Sequence, residues 1–388
     1  MFTASVQLDQ RPIGRSTKDL LEMIYYVHEQ IRDVRVNDLV VTIAFESDCE
    51  PSITSLARDI NDLVRAFNVT FSRDFTETLQ ESGCNPQFTG NPWAVLRDSG
   101  LVTEVEPGVC YLNGELCELV DAIDVFFKRH ALAMGATTQS CTSILPINSA
   151  ARSGYLSNFP QHALFAASAH QTLASLGGIR VVRESVRPIS NAQLASPSYL
   201  LAPTVCYHFF ERLKDRALDG RAMFTAKALC HRNERNSNTL MRLKTFNMRE
   251  IAFFGDAAYV EETRKSLIDY SSSFLESLGL RYRIATASDP FFASGAEQQR
   301  IFQKVSRSKI EIEAFIPYCN AWIAVASFNN HSSALTRKYK VGAPELCSGC
   351  FGIGYERLIY SLICQRGPSV RDLVMSLATI EQRLESNG

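Results

Sequence analysis

Two strand-like runs, residues 223–234 and 243–254, are joined by a loop of Asn, Ser, Thr and Arg, and they constrain this chain more than any other stretch. Runs of this length around a polar loop read as an antiparallel hairpin. Side chains alternate across a strand, so Cys230, Arg232 and Glu234 share one face of the first run. Phe246, Met248 and Glu250 share one face of the second. A face carrying an arginine, an aromatic ring and two carboxylates is poor core material, because unpaired buried charge is costly. Such a face either covers a ligand or faces water.

Length and charge narrow the classes. The 388 residues suffice for a large core and more than one domain. A net charge of −1 argues against a large nucleic-acid footprint, since backbone binding needs clustered Lys and Arg, but it leaves room for a nucleotide site. The longest apolar runs are broken by charges, so no membrane span is expected. Residues 1–15 carry no apolar signal core, and nothing points to export. Eleven cysteines without regular spacing do not form a disulfide framework. They read as buried thiols of a reducing, cytoplasmic compartment, with a few available as metal ligands.

In chain order, apolar spacing predicts a helix over 17–32, a strand over 38–45, a helix over 52–67 and a short strand at 68–72. Cys, Asn, Pro and Gly cluster at 83–92 and mark a boundary. This gives a small α/β segment, residues 1–90, without evident chemistry, and a larger one, 91–388. In the larger segment a short helix is expected over 92–102 and a turn at 106–108. A long helix over 115–131 carries a stripe of Leu116, Leu119, Val120, Ile123, Phe126 and Phe127, wide enough for core or subunit contact. Residues 137–144 are strand-like, 152–161 read as a polar loop, and 186–203 as a surface segment rich in Ser, Pro and Ala. A helix over 261–278, a loop at 287–292 and strands over 309–315 and 322–329 follow. The last feature is a Gly-rich strand-to-helix passage over 347–363. Gly349, Gly352 and Gly354 ahead of Glu356 and Arg357 fit either an anion-binding turn or close packing. Their spacing is neither that of a P-loop nor that of a dinucleotide fingerprint.

Together the hairpin and this passage resemble a known pair. Arg232-x-Glu234 on one strand, Phe246 on the next, and GxGxER entering a helix resemble motifs 2 and 3 of class II aminoacyl-tRNA synthetases. The helix at 115–131 with residues 137–146 resembles motif 1, which builds the dimer in that family. EIEAFIP (311–317) and ASFNN (326–330) resemble its seryl branch. The likeness is closer to an offshoot of that branch, the amino acid:[carrier protein] ligases. Shared with it, in one order over residues 92–365, are RSGYLSNFP, PTVCY, CHRNE, MRE, SDPFF, SFNNH and SGCFGIGYER. Residues 1–90 have no counterpart in the resemblance.

The resemblance implies an α+β fold, a class II synthetase-like antiparallel sheet flanked by helices, with a small N-terminal α/β extension. It implies a homodimer that activates a small amino acid, Gly- or Ala-like, with ATP and Mg2+. The aminoacyl group would then pass to the phosphopantetheine thiol of a carrier protein. A tRNA partner is not expected, because the chain shows no long basic arm. A seryl-tRNA synthetase and a catalytically idle paralogue are the alternatives. Carried over by motif, Arg232 would meet the α-phosphate, and Arg357 and Phe246 would enclose the adenine. Glu234 would contact the adenine side, Glu313 would join the ATP site, and Ser327 and Asn329 would line the amino-acid pocket. Planar, permanently charged guanidinium groups suit both phosphate binding and ring stacking.

Where most seryl enzymes place a Glu for the substrate amine, this chain has Cys206. The resemblance implies zinc in its stead, held by Cys206, Glu250 and Cys350, with a fourth position open to a neutral amine. Each ligand also has an ordinary reading: a buried cysteine is a small hydrophobe, and a strand glutamate is often solvated. Cys347 and Cys350 form a CxxC without a second half, so a four-cysteine site is not expected. Cys350 adjoins the GxGxER passage and is preferred, with Cys347 in reserve. His208 and His331 read as core or surface histidines. The acidic magnesium position of seryl enzymes is Ala324 here, with Glu311 and Glu313 nearby.

Overall fold

The computed structural model describes residues 2–12, 17–45, 52–71, 76–179, 181–182, 185–186, 189–218, 220–235, 237, 239–289 and 296–377. The chain begins with β1 (Phe2–Gln7), α1 (Thr17–Ile24), β2 (Ile31–Asn37), β3 (Val40–Phe45) and α2 (Ile53–Phe71). The strands form a three-stranded antiparallel sheet, β1-β3-β2. Leu20, Ile24, Ile43, Phe45 and Ile60 pack with it into a core distinct from the main one.

Two expectations fail here. The helix over 17–32 stops at Ile24, where Tyr26 and Val27 turn back onto Met23 and Ile24. Beyond it Ile31 and Val34 lie in a strand and are buried against β3, on either side of a register shift between Ile31 and Asp33. The apolar helical period had run on into residues whose β-branched side chains favour a sheet. The short strand expected at 68–72 is instead the end of α2, where Asn68 is buried and donates to Arg11 O at 2.8 Å.

The larger unit continues with β4 (Thr78–Glu81), α3 (Trp93–Asp98), the hairpin β5 (Val102–Glu106) and β6 (Val109–Leu112), and α4 (Glu115–Ala133). Then come β7 (Thr137–Thr138), β8 (Ile144–Pro146), α5 (Ile147–Ser153), α6 (Tyr155–Asn158) and β9 (Phe165–Ala166). The polar loop expected at 152–161 is thus largely helical turns, divided at Gly154, whose φ is 87°. Next are α7 (Leu173–Gly178), the small hairpin β10 (Val181–Val182) and β11 (Ser185–Val186), β12 (Tyr199–Leu201) and α8 (Cys206–Leu213). The central hairpin is β13 (Ala222–His231) and β14 (Thr245–Gly255), followed by α9 (Ala257–Ser277), β15 (Tyr282–Thr286) and α10 (Ala296–Val305). Then come β16 (Lys309–Ile316), β17 (Ala321–Ser332), α11 (Ala334–Tyr339), β18 (Cys347–Gly354) and α12 (Tyr355–Arg366), and residues 370–377 are again helical.

Eight strands make one sheet in the order β4-β15-β16-β17-β18-β14-β13-β7. All pairings are antiparallel except that of β7 with β13. Residues 78–81 enter this sheet through β15, and the N–H groups of Gln87 and Phe88 both donate to Gln365 O. The large unit therefore takes in residues ahead of position 90. One face of the sheet, with Ile251, Phe253, Ile312, Phe328 and Phe351, packs on α4, α9 and α12. The α4 stripe of Leu116, Leu119, Ile123 and Phe127 is buried in that same core. Burying each such side chain contributes about 1.5–3 kcal/mol.

Gly349 is explained by this packing. A Cβ there would collide with the Phe253 ring and come within 2.8 Å of Asn329 O. Gly354 has ordinary backbone and open space, and β18 runs straight into α12. The passage is a packed strand-to-helix junction without the nest of a phosphate loop.

A buried charge network ties α4 to β14 and α12. Arg249 donates to both Asp124 oxygens, at 2.7 and 3.0 Å, and the Tyr355 hydroxyl donates to the same carboxylate. Burial opposes ionisation of Asp124, but these bonds outweigh it and hold its carboxyl below the ordinary 3.8. Its contribution is therefore complete above pH about 4 and is lost as pH falls through the lowered value. Asp124→Asn is expected to cost about 2 kcal/mol in urea unfolding at neutral pH, since a charged hydrogen-bond acceptor is lost. It should also flatten the fall in stability below pH about 4.

Candidate active site

On the sheet face opposite α4, α9 and α12, register places Glu311, Ser327, Gly352 and Glu250 in one row across β16, β17, β18 and β14. The next row sets Lys309, Asn329 and Cys350 side by side. Small residues at Gly352 and Ser327 keep the floor between them low.

Cys206, the first residue of α8, is carried over this floor after β12. Its sulfur, a Glu250 oxygen and the Cys350 sulfur all lie within 4.8 Å of one another, and all three residues are buried. Thr204 Oγ1 donates to Glu250 Oε1 in a short bond. Asn329 Nδ2 donates to Cys350 Sγ at 3.4 Å. His331 Nε2 lies 3.6 Å from that sulfur, while its Nδ1 is 3.3 Å from Ser348 Oγ. Burial, with the Cys350 sulfur beside it, pushes Glu250 up to about 7. Cys206, hydrogen-bonded to Cys350 and buried, is pushed up, and Cys350, hydrogen-bonded to Cys206, is held down, with His331 assisting.

Glu250 Oε2 is buried without a partner among the described residues. Two sulfurs and an orphaned carboxylate oxygen, converging in a buried place, are a donor set suited to zinc, with three protein ligands. Among the described residues no other His, Cys, Asp or Glu group converges in this way. The reserve cysteine, Cys347, starts β18 on the other side of the alternation and donates to Glu345 O.

Beside this cluster lies a pocket of arginines. β13 ends at His231, one residue before Arg232, and Glu234 N donates back to Arg232 O at 2.8 Å. The strict alternation expected through 234 is thus broken by a tight turn. Arg232 Nε donates to Pro203 O at 3.2 Å, and its guanidinium lies 5.2 Å over the Phe246 ring. Arg357, in the first turn of α12, donates to Met241 O at 2.6 Å and Ala324 O at 3.2 Å. Glu234 is buried, paired with Arg242 at 3.1 Å and 4.0 Å from His162 Nδ1. Burial opposes its charge, yet Arg242, His162, Arg357 and Arg232 hold its carboxyl down. Burial and then Arg242 push Arg357 down, a strain that an incoming anion would relieve. Three arginines around one carboxylate leave a positive pocket.

The predicted residues thus fall into groups. Cys206, Glu250, Cys350 and Asn329 come together, as do Arg232, Phe246, Glu234 and Arg357. Ser327 stands in the Glu250 row. Glu313 is committed to Arg283 at 2.6 Å, and Glu311 to Lys309 at 3.0 Å. Lys309 also pairs with Asp289, the acid of the SDPFF motif, whose Pro290–Phe292 lie outside the described residues. Missed by sequence reasoning were Thr204, His162 and the Lys309–Asp289 pair, and His331 reads there as a core or surface histidine. Thr204, His331 and Asp289 had a signal only as members of PTVCY, SFNNH and SDPFF, and His162 and Lys309 lie in none of these motifs.

Known proteins resemble this chain in sequence and in fold. Residues 193–366 match the tRNA synthetase class II core domain (G, H, P, S and T). The type-2 serine–tRNA ligase of Methanopyrus kandleri is 26% identical over 190 residues, 45% of this chain and 36% of that protein. Amino acid–[acyl-carrier-protein] ligase 1 of Bradyrhizobium diazoefficiens is 27% identical over 222 residues, 56% of this chain and 67% of that protein. The crystal structure of M. kandleri SerRS in complex with A. aeolicus tRNASec superposes with a TM-score of 0.66 at 19% identity, covering 94% of this chain and 74% of that one. Cytoplasmic serine–tRNA ligase from Naegleria fowleri in complex with AMP gives 0.59 at 13% identity, covering 84% and 70%. The match with the M. kandleri ligase spans little more than a third of that protein's length. Fold and relatives together define a class II synthetase-like homologue, α+β in class, with a large antiparallel sheet flanked by helices.

Proposed function

We propose that this chain is a ligase that uses ATP to activate a small amino acid and transfers it to the phosphopantetheine thiol of a carrier protein. The observation that carries the reading is the convergence of Cys206, Glu250 and Cys350 beside the arginine pocket. The chemistry zinc supplies in such a donor set is an open coordination position for a neutral amine, which selects α-amino acids. Thr204, Asn329 and His331 fix the orientation of the donors. Ser327 and Asn329, on the same sheet face as Glu250 and Cys350, would line the space for the substrate side chain.

Adenylation joins a substrate carboxylate oxygen to the α-phosphorus and releases pyrophosphate. It needs alignment and charge neutralisation more than proton transfer. Arg232 has one N–H on Pro203 O and further donors for the α-phosphate. Arg357 and Arg242 complement the remaining phosphates and the base edge, with Glu234 between them. Glu311 and Glu313 are ion-paired, so magnesium would enter with the nucleotide, held largely by its phosphates. In the second step the carrier thiol sulfur attacks the carbonyl carbon, a thioester forms and AMP leaves. A net charge of −1 favours a carrier protein over tRNA as acceptor.

Amino-acid-dependent ATP–pyrophosphate exchange across the proteinogenic set, with metal content measured on the same sample, tests this reading. Exchange with glycine or alanine and about one zinc per chain are expected. No exchange with any amino acid would sink it.

A further inference from the structure

Arg235, in the loop between β13 and β14, contacts the N-terminal unit. Its Nη1 donates to Tyr25 O at 2.7 Å and to His28 O at 3.0 Å. Its guanidinium carbon lies 5.6 Å over the Tyr26 ring. Both carbonyls belong to the turn just after α1, where main-chain acceptors lack helical partners. The N-terminal unit has its own core, so the clasp joins two separately cored bodies.

The same loop is gripped from its other side. Lys244 N donates to Gly108 O at 2.7 Å at the β5–β6 turn. Gly108 has φ of 82°, and Ser237 occupies the place a Cβ would take. Asn233 N donates to His162 O at 3.0 Å. Between these grips lie Glu234 and Arg242, the pair that lines the arginine pocket.

We infer that Arg235 is a positioning residue, through which the N-terminal unit sets the place of the nucleotide loop and so its affinity for ATP. A loop anchored at both ends loses less freedom when a ligand binds, and that saving appears as affinity. Arginine suits the task, because one terminal nitrogen reaches both carbonyls while the planar guanidinium lies on a ring; lysine keeps the charge but has no planar group to stack. That the bound nucleotide is ATP rests on the adenylation reading, but the clasp itself does not.

The test uses the full chain with Arg235→Ala and Arg235→Lys. In ATP-free protein, hydrogen exchange in residues 233–243 and 25–28 should quicken about tenfold in the Ala variant, with residues 245–255 unchanged. In pyrophosphate exchange, KM for ATP should rise about tenfold while kcat, the amino-acid KM and metal content stay within about twofold, and Lys should restore part of the loss. Unchanged exchange in the loop overturns the clasp. Quicker exchange with an unchanged KM for ATP overturns its positioning role. A wild-type protein without pyrophosphate exchange would defeat the adenylation reading, and hydrogen exchange would still decide the clasp.

Discussion

Cys206→Ala should leave the protein folded but without zinc, and should lower amino-acid-dependent pyrophosphate exchange by more than about a hundredfold. That exceeds the 10–100-fold typical when only a supporting hydrogen bond of a metal site is lost. The substitution removes one of three donors that converge within 4.8 Å and leaves Glu250 and Cys350 as the two that remain. Two donors are too few to compete with water for zinc. Unfolding should stay cooperative, because Cys206 sits at the start of α8 and its small side chain belongs to a cluster with Phe209 and Phe210 that is separate from the main core. Thr204→Val supplies the contrast: it removes only the hydroxyl that bonds Glu250 Oε1, so zinc affinity should fall within the 10–100-fold range. Zinc at full occupancy in the Cys206 variant would show that the ligand set is wrong.

Arg232→Ala should lower kcat of pyrophosphate exchange by about 10²–10³-fold, the usual effect of removing a donor aimed at transition-state charge. Metal content should not change, since Arg232 contacts Pro203 O and the Phe246 ring and none of the three ligands. Arg232→Lys should restore little, because an ammonium cannot hold Pro203 O and a phosphate in one planar fork. A rise in KM for ATP with kcat unchanged would place Arg232 on the ground-state nucleotide and away from the reacting phosphorus.

How much of this was legible in the sequence depended on the range of the interactions. The central hairpin, α4, and β18 leading into α12 were legible because each carries a strong local period. The N-terminal unit was misread where two periods overlap: Leu20, Ile24 and Val27 continue a helical stripe into Ile31 and Val34, which belong to a strand. β15 escaped notice as a short run between a helix and a loop. Cys206, Glu250 and Cys350 lie far apart in sequence and were found only through motif likeness, since spacing alone leaves ordinary readings open. The Arg249–Asp124–Tyr355 network and the Arg235 clasp join residues more than a hundred positions apart, and no local pattern announces them. His331 reads as a core or surface histidine, and it sits where the register of β17 on β18 shifts between Asn330 and Ser332, an irregularity that no sequence pattern announces.

The central claim, that an activated amino acid is passed to a carrier thiol, is tested most directly by following labelled glycine and alanine with ATP. The acceptors are a phosphopantetheinylated acyl carrier protein, the same protein in apo form, and total tRNA. The account predicts label on the holo carrier alone, released by hydroxylamine as expected for a thioester. Label on tRNA with the holo carrier left bare would contradict it.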